Sequence, residues 1–144
     1  MNLARLALLC LILALPVAPC AAADGSKSPA DARIVRGDQQ WAAGQLEGAR
    51  LSFEQAVVAD PRSVAARMKL GGFQLGARSY GAAIPTYQAA ISLDPNNAKA
   101  WIGLGMAYLH TGQQALSRAA FAEAVRIEPA RKAQLAQLID QPAR

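Results

Sequence analysis

The sequence predicts an all-α chain: a solenoid of three stacked helix hairpins, closed by a short C-terminal capping helix. Three observations predict it. Pro61, Pro95 and Pro129 stand 34 residues apart, each directly after an acid: Asp60, Asp94 or Glu128. Between the prolines, small and aromatic residues recur in one register. The columns are Gly37, Gly71 and Gly105; Ala49, Ala83 and Ser117; Phe53, Tyr87 and Phe121; and Ala56, Ala90 and Ala124. Within each copy the apolar residues follow the period of a helix and not that of a strand. Self-similarity at this fixed spacing is the mark of a repeat array.

The first segment is set apart from the array. Arg5 precedes a continuous apolar run, Leu6 to Leu15, followed by Pro16, small residues up to Ala23, and a polar stretch opening at Asp24. These are the three parts of a secretory signal peptide, with Ala21 and Ala23 at the cleavage site. We therefore expect residues 1–23 to be removed, leaving a short linker over 24–29 before the helical domain of 30–144. Two alternatives exist. An uncleaved anchor would need Leu6 to Ala23 to span a bilayer, but two prolines and four alanines in its second half argue against that. Alternatively, Val17-Ala18-Pro19-Cys20 resembles a lipobox, with Cys20 as the lipidated residue; the proline before the cysteine departs from that pattern. Membrane attachment is expected only by one of these two routes.

Composition excludes several functions. At 53% hydrophobic residues the chain is not disordered. Both cysteines, Cys10 and Cys20, fall in the first segment, and His110 is the single histidine. No disulfide framework and no Cys/His metal site can be built in the body of the protein, and no cofactor is expected. The net charge of +5 is dispersed: Arg33, Arg36, Arg50, Arg62, Arg67, Arg78, Arg118 and Arg126 are spread along the chain, often near acids. That is a solvated surface and not the basic stripe of a nucleic-acid binder. No strand is predicted to carry a phosphate loop, no cleft with paired carboxylates is evident, and His110 sits where it can cap a helix end. The chain is expected not to be an enzyme.

The elements follow from the repeat, with units over 28–61, 62–95 and 96–129. In the third, Trp101, Leu104, Gly105 and Tyr108 share one face of a helix predicted over Ala98 to Leu109. Thr111-Gly112 breaks it. A second helix, Ala115 to Ile127, carries Leu116, Ala120, Phe121, Ala124, Val125 and Ile127. Proline then ends the unit. Asn97 and Ser63 stand at N-cap positions. Ser28-Pro29-Ala30-Asp31 reads as a cap with proline in the first turn and an acid near the start. The glycine and alanine columns predict close crossings of the two helices of each hairpin. Phe53, Tyr87 and Phe121 then fill the space between one hairpin and the next. Ala130 to Asp140, with Leu135, Leu138 and Ile139 at helical spacing, predicts a cap helix over 130–140.

On these columns the chain resembles tetratricopeptide repeat (TPR) proteins, of the exported bacterial type. The third unit, PNNAKAWIGLGMAYLHTGQQALSRAAFAEAVRIEP, carries the resemblance most fully. The first departs most, with Arg36 where the family prefers leucine and Gln40 where it prefers tyrosine, so its helix is expected to be loose or covered by something else. Arg78 replaces the turn glycine of the second unit. The resemblance implies a right-handed superhelix whose first helices line a concave surface. Carried over by register, that lining is Ile34, Val35, Asp38 and Trp41, then Met68, Lys69, Gly72 and Leu75, then Lys99, Ile102, Gly103, Met106 and Leu109. Ile102, Met106 and Leu109 form a second apolar stripe, which is either buried by a neighbour or open to a partner.

The carboxylate clamp of chaperone-tail members is not matched. Its places hold Ile34, Asp38, Lys69, Lys99 and Gly103, of which only the two lysines suit. The resemblance implies a non-catalytic scaffold in the cell envelope, periplasmic or secreted, that binds a peptide or helix of another protein in a largely apolar groove. Two variants stay open: a TPR lipoprotein accessory of pilus assembly or secretion, and a tethering subunit of an envelope enzyme complex.

Overall fold

The computed structural model describes residues 28–139. The proposed signal peptide, Cys20, most of the linker and Asp140 lie outside them. The described chain consists of α1 (Pro29–Ala42), α2 (Leu46–Ala59), α3 (Val64–Gly76), α4 (Tyr80–Leu93), α5 (Ala98–His110) and α6 (Gln114–Ile127), then a 3₁₀ turn (Pro129–Arg131) and α7 (Lys132–Ile139). The helices pair as hairpins α1–α2, α3–α4 and α5–α6, and each hairpin stacks on the next through α2–α3 and α4–α5. The first helices also touch in sequence, α1 with α3 and α3 with α5, so they line one continuous face. This is the α-solenoid that the repeat predicts.

Local chemistry sets the ends. At α1 the Ser28 hydroxyl accepts from the Asp31 N–H (3.1 Å) while the Ser28 N–H donates to the Asp31 carboxylate (2.9 Å). Pro29 occupies the first turn, where its missing N–H costs nothing. Ser63 and Asn97 cap α3 and α5 in the same way, accepting from Ala66 and Ala100. The acid–proline column has a turn at its root. Asp60 and Asp94 each accept the N–H two residues on, from Arg62 and Asn96, while proline fills the intervening position that needs no donor. Inside each hairpin the turn passes through a left-handed residue. Gly44 (φ 73°) and Gly112 (φ 77°) adopt it freely, and Arg78 adopts it at φ 58° against the preference of a side-chain-bearing residue.

The glycine column explains the hairpin spacing. A Cβ placed on Gly37, Gly71 or Gly105 would come within 2.6, 2.9 and 2.7 Å of the ring of Phe53, Tyr87 and Phe121 respectively. Each aromatic thus lies on the glycine of its own hairpin. It also reaches outward to the next unit: Phe53 packs with Leu70 and Phe73, Tyr87 with Ala100 and Leu104, and Phe121 with Ala98 and Leu135. Phe53 and Phe121 are completely buried, each contributing on the order of 1.5–3 kcal/mol of apolar burial. Ala49, Ala83, Ser117, Ala56, Ala90 and Ala124 are buried as well. Ser117 replaces alanine at no loss, because its hydroxyl donates to the Gly105 carbonyl across the hairpin (2.9 Å).

The first helix is not loose. α1 is complete and has its own cover: Trp41 lies edge-on to Phe53 (6.4 Å between centroids) and Phe73 (5.7 Å). Gln40, in the tyrosine column, accepts from the Ser52 hydroxyl at 2.5 Å. Arg36 is exposed at a position that inner units bury with Leu70 and Leu104. No unit precedes α1 among the described residues, and a polar outer face is what the end of an array requires. At the other end α7 lays Leu135 against Phe121 and Ala124.

Candidate partner-binding surface

The face formed by α1, α3 and α5 is a candidate site because each inner helix has two packing duties but three sides. On α5, Trp101, Leu104 and Tyr108 turn toward α4 and the core, and Gly105 meets α6. Lys99, Ile102, Met106 and Leu109 lie on a different side of the helix.

The structure sorts the expected lining residues into three groups. Val35 is exposed at 43%. Lys69 and Lys99 are also exposed. Lys69 is neutralised, since its ammonium pairs with the Asp38 carboxylate at 2.7 Å and bridges α1 to α3. Lys99 has no ion pair among the described residues. The second group is half-buried. Met68 and Leu75 rest against the cluster around Tyr87 and Leu104. Ile102 and Met106 rest against the cluster of Ala98, Phe121, Ala124 and Leu135. Leu109 borders a narrow crevice with Leu138 of α7. Trp41 is exposed, with one edge against Phe53 and Phe73 and the other on a shallow depression beside Asp38 and Ala42.

The third group corrects the sequence reading. Ile34 does not line the face; it is 8% exposed and packs with Ala56 and Ala66. Gly103 is buried as well, because a Cβ there would overlap the Tyr87 ring. Register transfer assigned both to the surface because it treats every turn of a first helix alike. At these positions the neighbouring hairpin leans in far enough to cover them.

Sequence reasoning also missed a concavity on the opposite side of α5. A groove of about 480 Å³ runs between α4 and α6 over α5, lined among others by Gln88, Ile91, Trp101, Tyr108, Leu116 and Glu123. Gln88 donates to the Tyr108 hydroxyl across it (3.0 Å). The only sequence signal for it was Leu116, an apolar residue on the outward side of α6 that is 48% exposed. His110 stacks face to face on Tyr80 at 4.2 Å, tying the end of α5 to the start of α4. No group of metal-ligating side chains occurs among the described residues. No described helix is long and apolar enough to cross a membrane.

Fold and face together define a helical-repeat module of the kind built to hold segments of other proteins. The chain belongs to the tetratricopeptide repeat family, whose model matches residues 34–98 and 74–132. No curated protein matches the sequence. Among solved structures, MamA is similar over 80% of this chain and 67% of its own, at 25% identity and a TM-score of 0.71. The first TPR domain of Spaghetti (RPAP3), bound to the HSP90 peptide SRMEEVD, is similar over 80% of this chain and 92% of its own (16% identity, TM-score 0.70). So is the Yersinia enterocolitica type III secretion chaperone SycD, in complex with a peptide of the translocator YopD, over 76% and 88% (17% identity, TM-score 0.69).

Proposed function

We propose that this protein is a non-catalytic adaptor of the cell envelope, holding a segment of a partner protein on the face of α1, α3 and α5. One observation carries the reading: a continuous first-helix face with half-buried Met68, Leu75, Ile102 and Met106, and among them Lys99, which has no ion pair among the described residues. Side chains half in the core and half in water gain further burial when a partner covers them. Methionine adapts to such contacts. Structural relatives that carry HSP90 and YopD peptides support the same kind of work here. The sequence before Asp24 supports export, which would put the work in the periplasm or outside the cell. Lipidation at Cys20 would put the same module on a membrane.

The test is photo-crosslinking in the native host. A crosslinking amino acid at Val35 or Lys99 should trap a partner protein. The same group at Val58, which is 79% exposed on α2, or at Leu116 on α6 should not. Partner adducts from 58 and 116 alone would place the contact on the second helices and end the proposal. Intact mass of the mature protein tests its setting. We expect a chain starting at Asp24; one starting at Cys20 with an acyl increment would replace the soluble form by the lipoprotein.

A further inference from the structure

The groove between α4 and α6 departs from its counterpart one unit earlier. A shift of 34 residues brings Trp101 onto Arg67 and Tyr108 onto Gln74. Over α3 the floor is therefore polar, and the Arg67 Nε and Gln74 Oε1 atoms are themselves covered. Over α5 it is aromatic, half-buried and fixed at both ends. The Trp101 indole N–H donates to the Pro95 carbonyl (2.9 Å), and the Tyr108 hydroxyl accepts from the Gln88 amide on the α4 wall (3.0 Å). Rings held in this way need no ordering when a ligand arrives.

Size and charge say what fits. From Trp101 to Tyr108 the floor runs about 10 Å along α5, and the cavity of about 480 Å³ has small-molecule dimensions. Glu123 on the α6 wall is its one charged lining residue, and no lysine or arginine lines it. One oxygen of Glu123 accepts from the Arg126 Nε (2.7 Å), and the other has no partner among the described residues. The Gln88 side-chain oxygen is unused as well. Both side chains of the Glu123–Arg126 pair are well exposed, at 41% and 64%, so the pair holds the carboxylate only weakly. In the antiparallel hairpin α5–α6, Trp101 and Glu123 lie about equally far from the turn, while Tyr108 and Leu116 lie close to it. The groove thus has a carboxylate and an indole at one end and an apolar half at the other.

We propose that the α4–α6 groove is a second binding site, independent of the face of α1, α3 and α5, and that it takes a small organic cation: an ammonium or guanidinium group on an aliphatic or aryl body. The cationic head sits between the Trp101 ring and Glu123. Aromatic faces carry negative potential and attract such a head. The body lies over Leu104 and Tyr108, between Ile91 and Leu116, where apolar contact holds it. An anion of the same shape meets Glu123 with like charge.

The probe is 4-phenylbutylamine, protonated at pH 7, beside two molecules of similar shape: neutral 4-phenylbutanol and anionic 5-phenylvalerate. Each is titrated into the protein by NMR, with the Trp101 indole N–H as reporter. The amine should bind about fivefold more tightly than the alcohol, and the carboxylate most weakly. Glu123→Gln should remove the advantage of the amine and leave the alcohol unchanged. Arg126→Ala, which frees the carboxylate, should enlarge that advantage. Ala119→Arg, at an exposed position on the α6 wall, should fill the groove and abolish binding of all three. Circular dichroism should show each variant as helical as the wild type.

Equal binding of the three probes, or a ranking that survives Glu123→Gln, would show that the groove does not select charge and overturn the proposal. Binding of the amine that persists in Ala119→Arg, or shifts centred on Lys69 and Lys99, would place the cation elsewhere and overturn it too, as would a wild-type protein that binds none of the probes.

Discussion

At Gly105 the absence of a side chain sets how closely α5 and α6 approach. A Cβ there would stand 2.7 Å from the Phe121 ring, which is fully buried and has nowhere to go. Gly105→Leu is therefore expected to cost about 1–3 kcal/mol or more, read as a lower midpoint in thermal unfolding by circular dichroism. Arg78 is the opposite case, since its left-handed backbone is where the other hairpins use Gly44 and Gly112. Arg78→Gly should relieve it and stabilise the fold by about 1 kcal/mol in denaturant titration. Tyr87 gives a pH prediction. Burial raises its pKa from 10.0 to about 12, so the unfolded chain loses this proton first. The folded state keeps the full contribution below pH 10 and loses it as the pH rises toward 12. Tyr87→Phe should flatten that part of the stability profile relative to wild type.

Among the elements, helix existence was readable and helix coverage was not. Predicted Ala98–Leu109 and Ala115–Ile127 emerged as Ala98–His110 and Gln114–Ile127, because caps, turn glycine and apolar period all act within one element. The cap helix was readable for the same reason, though it opens with a 3₁₀ turn over Pro129–Arg131 and its ordinary helix starts only at Lys132. What covers a given side of a helix depends on how the next hairpin leans, and no local signal carries that. So Ile34 was read as surface and is core. Met106, read as groove, touches water on one side and the α7-capped cluster on the other. Met106→Glu is accordingly expected to lower stability by about 1–3 kcal/mol, which makes Val35 and Lys99 cleaner probes of the face. Ending the chain at Arg131 removes α7 and uncovers Phe121 and Ala124. The truncated protein should melt earlier and bind a hydrophobic dye that the full chain does not.

At the scale of the molecule, the 34-residue column pattern contains the architecture, because every column is a contact repeated from hairpin to hairpin. Function is written in the departures from that pattern. Lys99, without an ion pair among the described residues, and the half-buried Met68 and Met106 all sit on the face of α1, α3 and α5. The groove of Ile91, Tyr108 and Leu116 between α4 and α6 is the competing surface. The measurement that separates them most directly is an amide NMR titration of the protein with the segment its partner contributes. The largest shifts are expected at Val35, Lys69, Lys99 and Met106, while Gln88, Ser92, Leu116 and Glu123 stay in place. Shifts centred on the α4–α6 groove, with Lys69 and Lys99 unmoved, would contradict a partner on the face of α1, α3 and α5.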